Sequence, residues 1–461
     1  MVNPLFLRVE LAILLLLGAG ASFRYSLVVQ AAQVIDFEVD VHGVPDDDSY
    51  ETSLINGAKF NETLRKLRRG DTLLFPNKTF HMMGGIIGLD LTNVTLVFDG
   101  ILVFTKHITR WPRKGPGKNA EVLDCMHFNN VRDVTFTSSH GPNGGQILGN
   151  GELWWGFPGI GYLARGENRP KLMVVSNSEN VLFENISLRN SPYWSFWAPN
   201  AYGLEVRDCK IDVRRDGKDE HTLNDLAAFN TDGFDVSGRN VWIHDVIIWN
   251  QDDCISVKGN SEHMLFERIT ASGFGLTIGS INHNEVVNNI TFRDSFMSKT
   301  VKGIYIKYGE NVGSKATISN VLYENITMQE PDRAIWIGPA QQSDSLDPCA
   351  AHPCSICWSP GSNFECNAPA ALYKNITLRD ITIYNPKNSI GVILGNSSLP
   401  MRDVTFENVV ISKGPGFPQE RTDYKYYCPT TGVMSGIAIG KTDPVPTCFQ
   451  DFTIATTGKI V

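Results

Sequence analysis

Residues 181–188 read VLFENISL: apolar and other residues alternate, a polar pair interrupts them, and the alternation resumes. Alternation over so few positions is the period of a half-buried strand, and the Glu-Asn pair between two such runs reads as a tight corner. The octet recurs as LEVRDCKI from Leu204, VWIHDVII from Val241, MLFERITA from Met264 and ITFRDSFM from Ile290. It returns as VLYENITM from Val321, ALYKNITL from Ala371 and VTFENVVI from Val404. Successive starts lie 23, 37, 23, 26, 31, 50 and 33 residues apart. A shortest step near 23 with scattered insertions is what a coil repeated along one axis produces, the insertions being loops. Hairpin signals such as Asn-Gly are scarce between the copies, which argues against a sandwich. The predicted fold is therefore all-β: a single-stranded, right-handed parallel β-helix. The segment SLINGAKFNETLRKLRR at 53–69 has helical spacing and is expected to cap the open end of the first coil.

The corners favour short side chains that hydrogen-bond their own backbone, and Asn or Asp fills most of them. Asn185, Asn325 and Asn375 stand in corners as Asn-x-Ser/Thr sequons; Asn61, Asn77, Asn93, Asn289 and Asn396 are further acceptors for a glycan.

The whole chain has 461 residues, 42% hydrophobic and 20% charged, with a formal charge of −8. That charge argues against a nucleic-acid partner, which needs a basic field. An acidic polysaccharide remains compatible, because a local basic cleft can sit on an acidic surface. The opening MVNPLFLRVELAILLLLGAGAS carries one Arg, a short apolar run and small residues, the layout of a secretory signal. The division expected is residues 1–32 as signal peptide and 33–461 as the β-helix domain, secreted, monomeric and without stable membrane association. Nine cysteines suit an oxidising destination. Six fall late, at Cys349, Cys354, Cys357, Cys366, Cys428 and Cys448, and their irregular spacing predicts disulfides stapling loops rather than a zinc site.

One stretch does not fit a purely structural repeat. Residues 250–257, NQDDCISV, set Asp252 and Asp253 side by side at the mouth of a strand. Asp is a poor strand former, and adjacent like charges repel. Nine residues from the repeat start lead to Asn190, Asn250 and Gly273 from Val181, Val241 and Met264 respectively. The copy at Leu204 reaches NTDGFDV only after an inserted loop, and the copy at Ile290 reaches KGIYIKY slightly late. These motifs occupy one corner of successive coils, which stack about 4.8 Å apart. Asp232 is thereby placed beside Asp252 and Asp253, with Lys307 two coils further along. Three close carboxyls cannot all ionise comfortably, so at least one is expected to hold its proton, supplying the donor and base that glycoside hydrolysis requires.

With those motifs in place, the sequence resembles the polygalacturonase-like enzymes of glycoside hydrolase family 28. The matching segments are NTDGFDV, NQDDCISV, GLTIGS and the lysine of YIK, preceded in order by GNGELWW, RPKLMVV and NSPYWSF. The resemblance implies a right-handed parallel β-helix, no metal or other cofactor, and inverting hydrolysis of α-linked galacturonan in pectin. It implies Asp252 as general acid and Asp232 and Asp253 as the residues that hold and deprotonate water. Asn230 would support the acids by hydrogen bonding, and Lys307 would bind a substrate carboxylate. Two positions depart from the family: Phe274 stands where Gly-His-Gly has its histidine, and Tyr305 where Arg-Ile-Lys has its arginine. Both are counted as substrate-binding positions, and their loss of charge points to an alternative substrate, rhamnogalacturonan or xylogalacturonan. The cysteine that usually precedes the glycine loop is also absent, which leaves Cys254 without its usual partner. His221, His244, His263 and His283 are candidates to replace the missing histidine. Two rival readings are a calcium-dependent pectate lyase and a non-catalytic sugar-binding β-helix with Phe274 and Tyr305 as stacking aromatics.

Overall fold

The computed structural model describes residues 31–449 apart from 118, 157–167, 223–224, 309–315, 340–370, 388, 413–424 and 429–431. The expected leader and Cys349, Cys354, Cys357 and Cys366 lie outside the described residues. Among the described residues of the body that begins at Ala32, 26 strands form one sheet, and strand after strand pairs in parallel with the next coil. The chain is a right-handed parallel β-helix.

The third residue of the octet points inward. Phe183, Val206, Ile243, Phe266, Phe292 and Tyr323 fall in register on successive coils, and all are buried. Where aromatics follow one another they stack: Phe266 on Phe292 at 4.6 Å, and Phe292 on Tyr323 at 4.7 Å between centroids. The register that the backbone imposes thus lines up like side chains along the core.

The fifth residue makes the corner. Asn185, Asp208, Asp245, Asp294, Asn325 and Asn408 all hold φ between 51° and 63°, the left-handed region that Asn and Asp tolerate best. Arg268 adopts it too, its guanidinium hydrogen-bonded to Asp245 of the preceding coil. The corner side chains also link coils, Asn325 Nδ2 donating to Asp294 Oδ1 at 2.6 Å and Asn408 Nδ2 to Asp380 Oδ1 at 2.8 Å.

One repeat is corrected. Val321 pairs with Ile376, and Ile376 with Val404, so the octet in this coil begins at Ile376 rather than Ala371. The reason is a second left-handed corner five residues before the first. Asn240, Asn289, Asn320 and Asn375 occupy it, and the segment ending at Asn375 pairs with the one ending at Asn320. Two consecutive five-residue units look alike in sequence, and only the ladder tells them apart. At this earlier corner Asn375 Nδ2 donates to Asn320 Oδ1 at 2.7 Å, so its amide nitrogen is engaged by the neighbouring coil.

The cap is a helix, α1 (Tyr50–Lys66), three residues earlier at each end than the spacing suggested because Ser49 starts it, accepting the Thr52 N–H. Its apolar face sets Phe60 against Phe75, 4.8 Å between ring centroids. Asn61 donates to the Gly85 carbonyl and accepts the Ile87 N–H, replacing the strand partners that a further coil would supply. Cys428 and Cys448 are disulfide-bonded, whereas Cys125, Cys209 and Cys254 are buried free thiols. No helix among the described residues is long and apolar enough to cross a membrane.

The corner residues generate a stability prediction. Asn408→Val places a β-branched side chain at φ 53° and removes hydrogen bonds to Asp380 and from the Lys441 N–H. It should destabilise the fold by about 1–3 kcal/mol. Denaturant unfolding should show a lower midpoint, while Asn408→Gly should recover part of the loss.

Candidate active site

The strand pairs Phe234 with Ile255, Ile255 with Leu276 and Leu276 with Ile304, so the residues just before and within these strands form one lateral stripe. Asp232, Asp252 and Asp253 meet there, each offering an oxygen within 4.8 Å of the others, and all three are buried. Lys307 lies two coils further along, as expected.

Asp253 is the most heavily supported. Its Oδ2 accepts from Lys307 Nζ at 2.7 Å and from Ser256 Oγ at 3.3 Å, and its Oδ1 from Thr277 Oγ1 at 3.0 Å. Gly279 gives Lys307 room: a Cβ there would meet the Lys307 carbonyl at 2.2 Å and its Cγ at 2.7 Å. Asp252 is held differently, by two backbone N–H groups, those of Asn230 at 3.0 Å and of Asp253 at 2.9 Å. Burial, then the charge of Asp253, push the Asp252 carboxyl up to about 6. Burial and the charges of Asp235 and Asp252 raise Asp232 well above the usual carboxylate range. Its Oδ1 is buried without a hydrogen-bond partner, an acceptor position open to a bound water or hydroxyl.

The sequence reading missed two members. Asp235, fully buried, faces outward between the core residues Phe234 and Val236, and Lys258 reaches back to it at 2.8 Å and to Asp232 at 3.8 Å. Burial opposes the charge on Lys258, but Asp235, Asp232 and Asp253 hold the ammonium above its ordinary value. Alternation within NTDGFDV and ISVKG was the available signal, since it puts both side chains on the outer face; their meeting required the register. Four carboxyls thus share two ammonium groups. The imbalance explains why burial leaves Asp232 and Asp252 inclined to keep protons.

Asn230 contributes through its backbone N–H to Asp252, while its Oδ1 accepts from Arg169 Nη2 at 3.4 Å. Arg169, in RPKLMVV, also donates to the Pro192 and Phe229 carbonyls, tying three coils behind the acids. Phe274 and Tyr305 are each 1% exposed, so neither presents a face to a sugar. This corrects their expected role. Phe274 packs on Phe229, and its N–H donates to the Asp252 carbonyl. Tyr305 lies under Lys302 and Lys307 beside Trp336. Cys254 is unpaired as expected, its thiol donating to Asn250 Oδ1 at 3.2 Å.

The histidines do not fill the vacated position. His221 stacks on Trp249 and hydrogen-bonds Gln251 and Ser272, and burial pulls its pKa down. His244 pairs with Asp245 and Glu205 at a corner, and His263 and His283 are exposed.

Buried, mutually perturbing carboxyls on the flank of a parallel β-helix define a site for acid–base chemistry on an extended ligand. Comparison with known proteins gives the family. The model of glycosyl hydrolases family 28 matches residues 89–426, and the chain belongs to that family. A probable endopolygalacturonase D of Aspergillus niger is 33% identical over 206 residues, 42% of this chain and 39% of that protein, so the match spans less than half of that relative. An exopolygalacturonase of Cochliobolus carbonum is 23% identical over 388 residues, 78% of this chain and 79% of its own. Among solved structures, an endo-xylogalacturonan hydrolase from Aspergillus tubingensis shares the fold, with a TM-score of 0.59 at 18% identity, covering 92% of this chain and 100% of that one.

The Lys258–Asp235 pair makes a direct prediction. Lys258→Met leaves Asp235 buried and unpaired, a loss of about 3 kcal/mol. Because the folded-state pKa of Asp235 is raised, the loss should be largest near neutral pH and shrink toward pH 4, where the carboxyl takes a proton. Thermal melts at both pH values test this, and the double variant Lys258→Met/Asp235→Asn should melt higher than Lys258→Met alone.

Proposed function

We propose that this chain hydrolyses α-galacturonosyl linkages of pectin, with Asp252 as general acid and Asp232 and Asp253 holding the attacking water. The observation that carries this reading is the division of labour among three adjacent carboxyls. Asp252 tends to retain its proton to about pH 6, whereas Asp253 is surrounded by donors from Lys307, Ser256 and Thr277. One group is thus suited to protonating a leaving glycosidic oxygen and its neighbour to accepting a hydrogen bond from water. Lys307 lies against Asp253, so its part in this scheme is to stabilise that carboxylate. The ammonium has three donors, so the bond to Asp253 is compatible with the expected contact to a substrate carboxylate. The apolar run at 11–21 supports secretion, where pectin is met.

Inversion is the stereochemical outcome proposed, following the family resemblance. The short oxygen separations make the configuration of the first product the decisive test, because inverting pairs usually stand further apart. Proton NMR of the first turnovers should show the β-anomer; initial α-anomer would overturn inversion.

A second reading keeps the chemistry and changes the polymer. Phe274 and Tyr305 remove an imidazole and a guanidinium from the neighbourhood of the acids, favouring a substrate with a neutral or substituted sugar beside galacturonate. The Aspergillus tubingensis relative is named for xylogalacturonan, which fits this alternative. Comparing kcat/KM on homogalacturonan, rhamnogalacturonan and xylogalacturonan at equal concentration decides between them. Clear preference for the plain homopolymer removes the second reading.

Asp252→Asn should fold normally and lose at least ~10²-fold in kcat on the best substrate. In the wild type, kcat/KM should fall as pH rises through about 6, because the general acid loses its proton there. A rate that climbs to pH 9, depends on calcium and yields an ultraviolet-absorbing product would instead establish elimination.

A further inference from the structure

We propose that Lys171, Trp194 and Trp197 form a uronate-binding subsite on the amino-terminal side of the acids. The proposal rests on the reading of the chain as a galacturonan hydrolase and assigns that polymer a second, charge-reading contact.

The register fixes the position. Trp197 pairs with Asp235 on the next coil, and the Ser195 N–H donates to the Asp232 carbonyl at 2.8 Å, so Trp194 and Trp197 lie one coil before Asp232 and two before Asp252. The Leu172 N–H donates to the Trp194 carbonyl at 3.0 Å, which puts Lys171 one coil earlier still. A polymer lying along the stack with its scissile bond at Asp252 therefore passes the two indoles and then the lysine.

The local chemistry suits an acidic sugar. Trp194 and Trp197 stand edge to face, 5.4 Å between centroids, and both are half-buried; Tyr193 stacks on Trp194 at 5.3 Å, so Trp197 is the indole that offers ring surface to the C–H face of a pyranose. Lys171 Nζ lies 4.9 Å from the Trp197 ring, 5.2 Å from Trp194 and 5.4 Å from Tyr193. Its side chain is 17% exposed, and Asp124 stands at 4.0 Å, outside hydrogen-bonding distance and itself 3.8 Å from His127. Packing on rings fixes the ammonium in place, and the long ion pair with Asp124 leaves its N–H donors available to a sugar carboxylate. Trp194 also carries Lys258 at 5.0 Å on its ring, so the subsite is joined to the acid cluster through one indole.

The test uses the full chain carrying Asp252→Asn, titrated by calorimetry with hexagalacturonate and with its methyl ester. Adding Lys171→Met keeps the aliphatic stem and removes the charge. It should weaken the acidic ligand about 10-fold and leave the ester within about twofold, because the stem still packs on the rings when the ammonium is gone. Trp197→Ala should weaken both ligands, and Lys171→Arg should preserve the preference for the acid. Equal affinity of Lys171→Met and its parent for hexagalacturonate overturns the subsite while leaving hydrolysis by the wild type untouched. If Lys171→Met does not fold, an unchanged acid-to-ester ratio in Lys171→Gln overturns it equally. If the Asp252→Asn parent binds neither ligand and the wild type cleaves no galacturonan, both the subsite and the functional reading fall together.

Discussion

Each coil of this chain has to return to the same point one strand spacing along the axis, and the backbone can do so only by turning sharply without losing its ladder. Left-handed residues at the corners accomplish this. At Asp245, Asp294, Asn325 and Asn408 a single residue with positive φ redirects the strand while its neighbours keep parallel hydrogen bonds to the coils on either side. The side chain tolerated there is short and polar, and it reaches the corner of the adjacent coil. Everything else follows from this repeat: like core residues stack on like, and outward residues from distant segments fall into straight columns.

The acid site uses those columns. Asp232 and Asp253 come from consecutive coils, and Lys307 from two coils beyond Asp253, yet all lie on one stripe. In a column of fixed spacing, like charges cannot relax apart by moving the backbone. They must be met by cations or by protons, and the two lysines present are fewer than the four carboxyls of Asp232, Asp235, Asp252 and Asp253. Asp252 and Asp232 accordingly lean toward the protonated form, with burial the largest cause in each case. The same rigidity that stabilises the solenoid therefore sets the proton affinity of its functional groups.

Aromatic packing beneath the stripe replaces charges that the family resemblance led one to expect. Phe274 and Tyr305 are buried, and Tyr305 supports Lys302 and Lys307 from below. Both aromatics therefore lie in the floor of the stripe and not at its surface. Trp194 and Trp197, by contrast, remain half-exposed one coil before Asp232.

The octet pattern alone determined the solenoid, because strand alternation and a polar corner recurring at about one coil length admit few other folds. It also determined the meeting of Asp232, Asp252 and Asp253, since both motifs lead into the next strand at the same corner once the loop inserted after the Leu204 copy is set aside. The helical spacing after residue 50 determined the cap. Only the tertiary structure decided which of two similar five-residue units begins the coil at Ile376, because both end in Asn or Asp and differ only in their ladder partner. The tertiary structure also decided that Lys258 folds back onto Asp235 and that Lys307 leans onto Asp253 past Gly279. A long side chain's direction is set by the space its neighbours leave. That space arises from coils tens of residues apart, so no local pattern in the sequence records it.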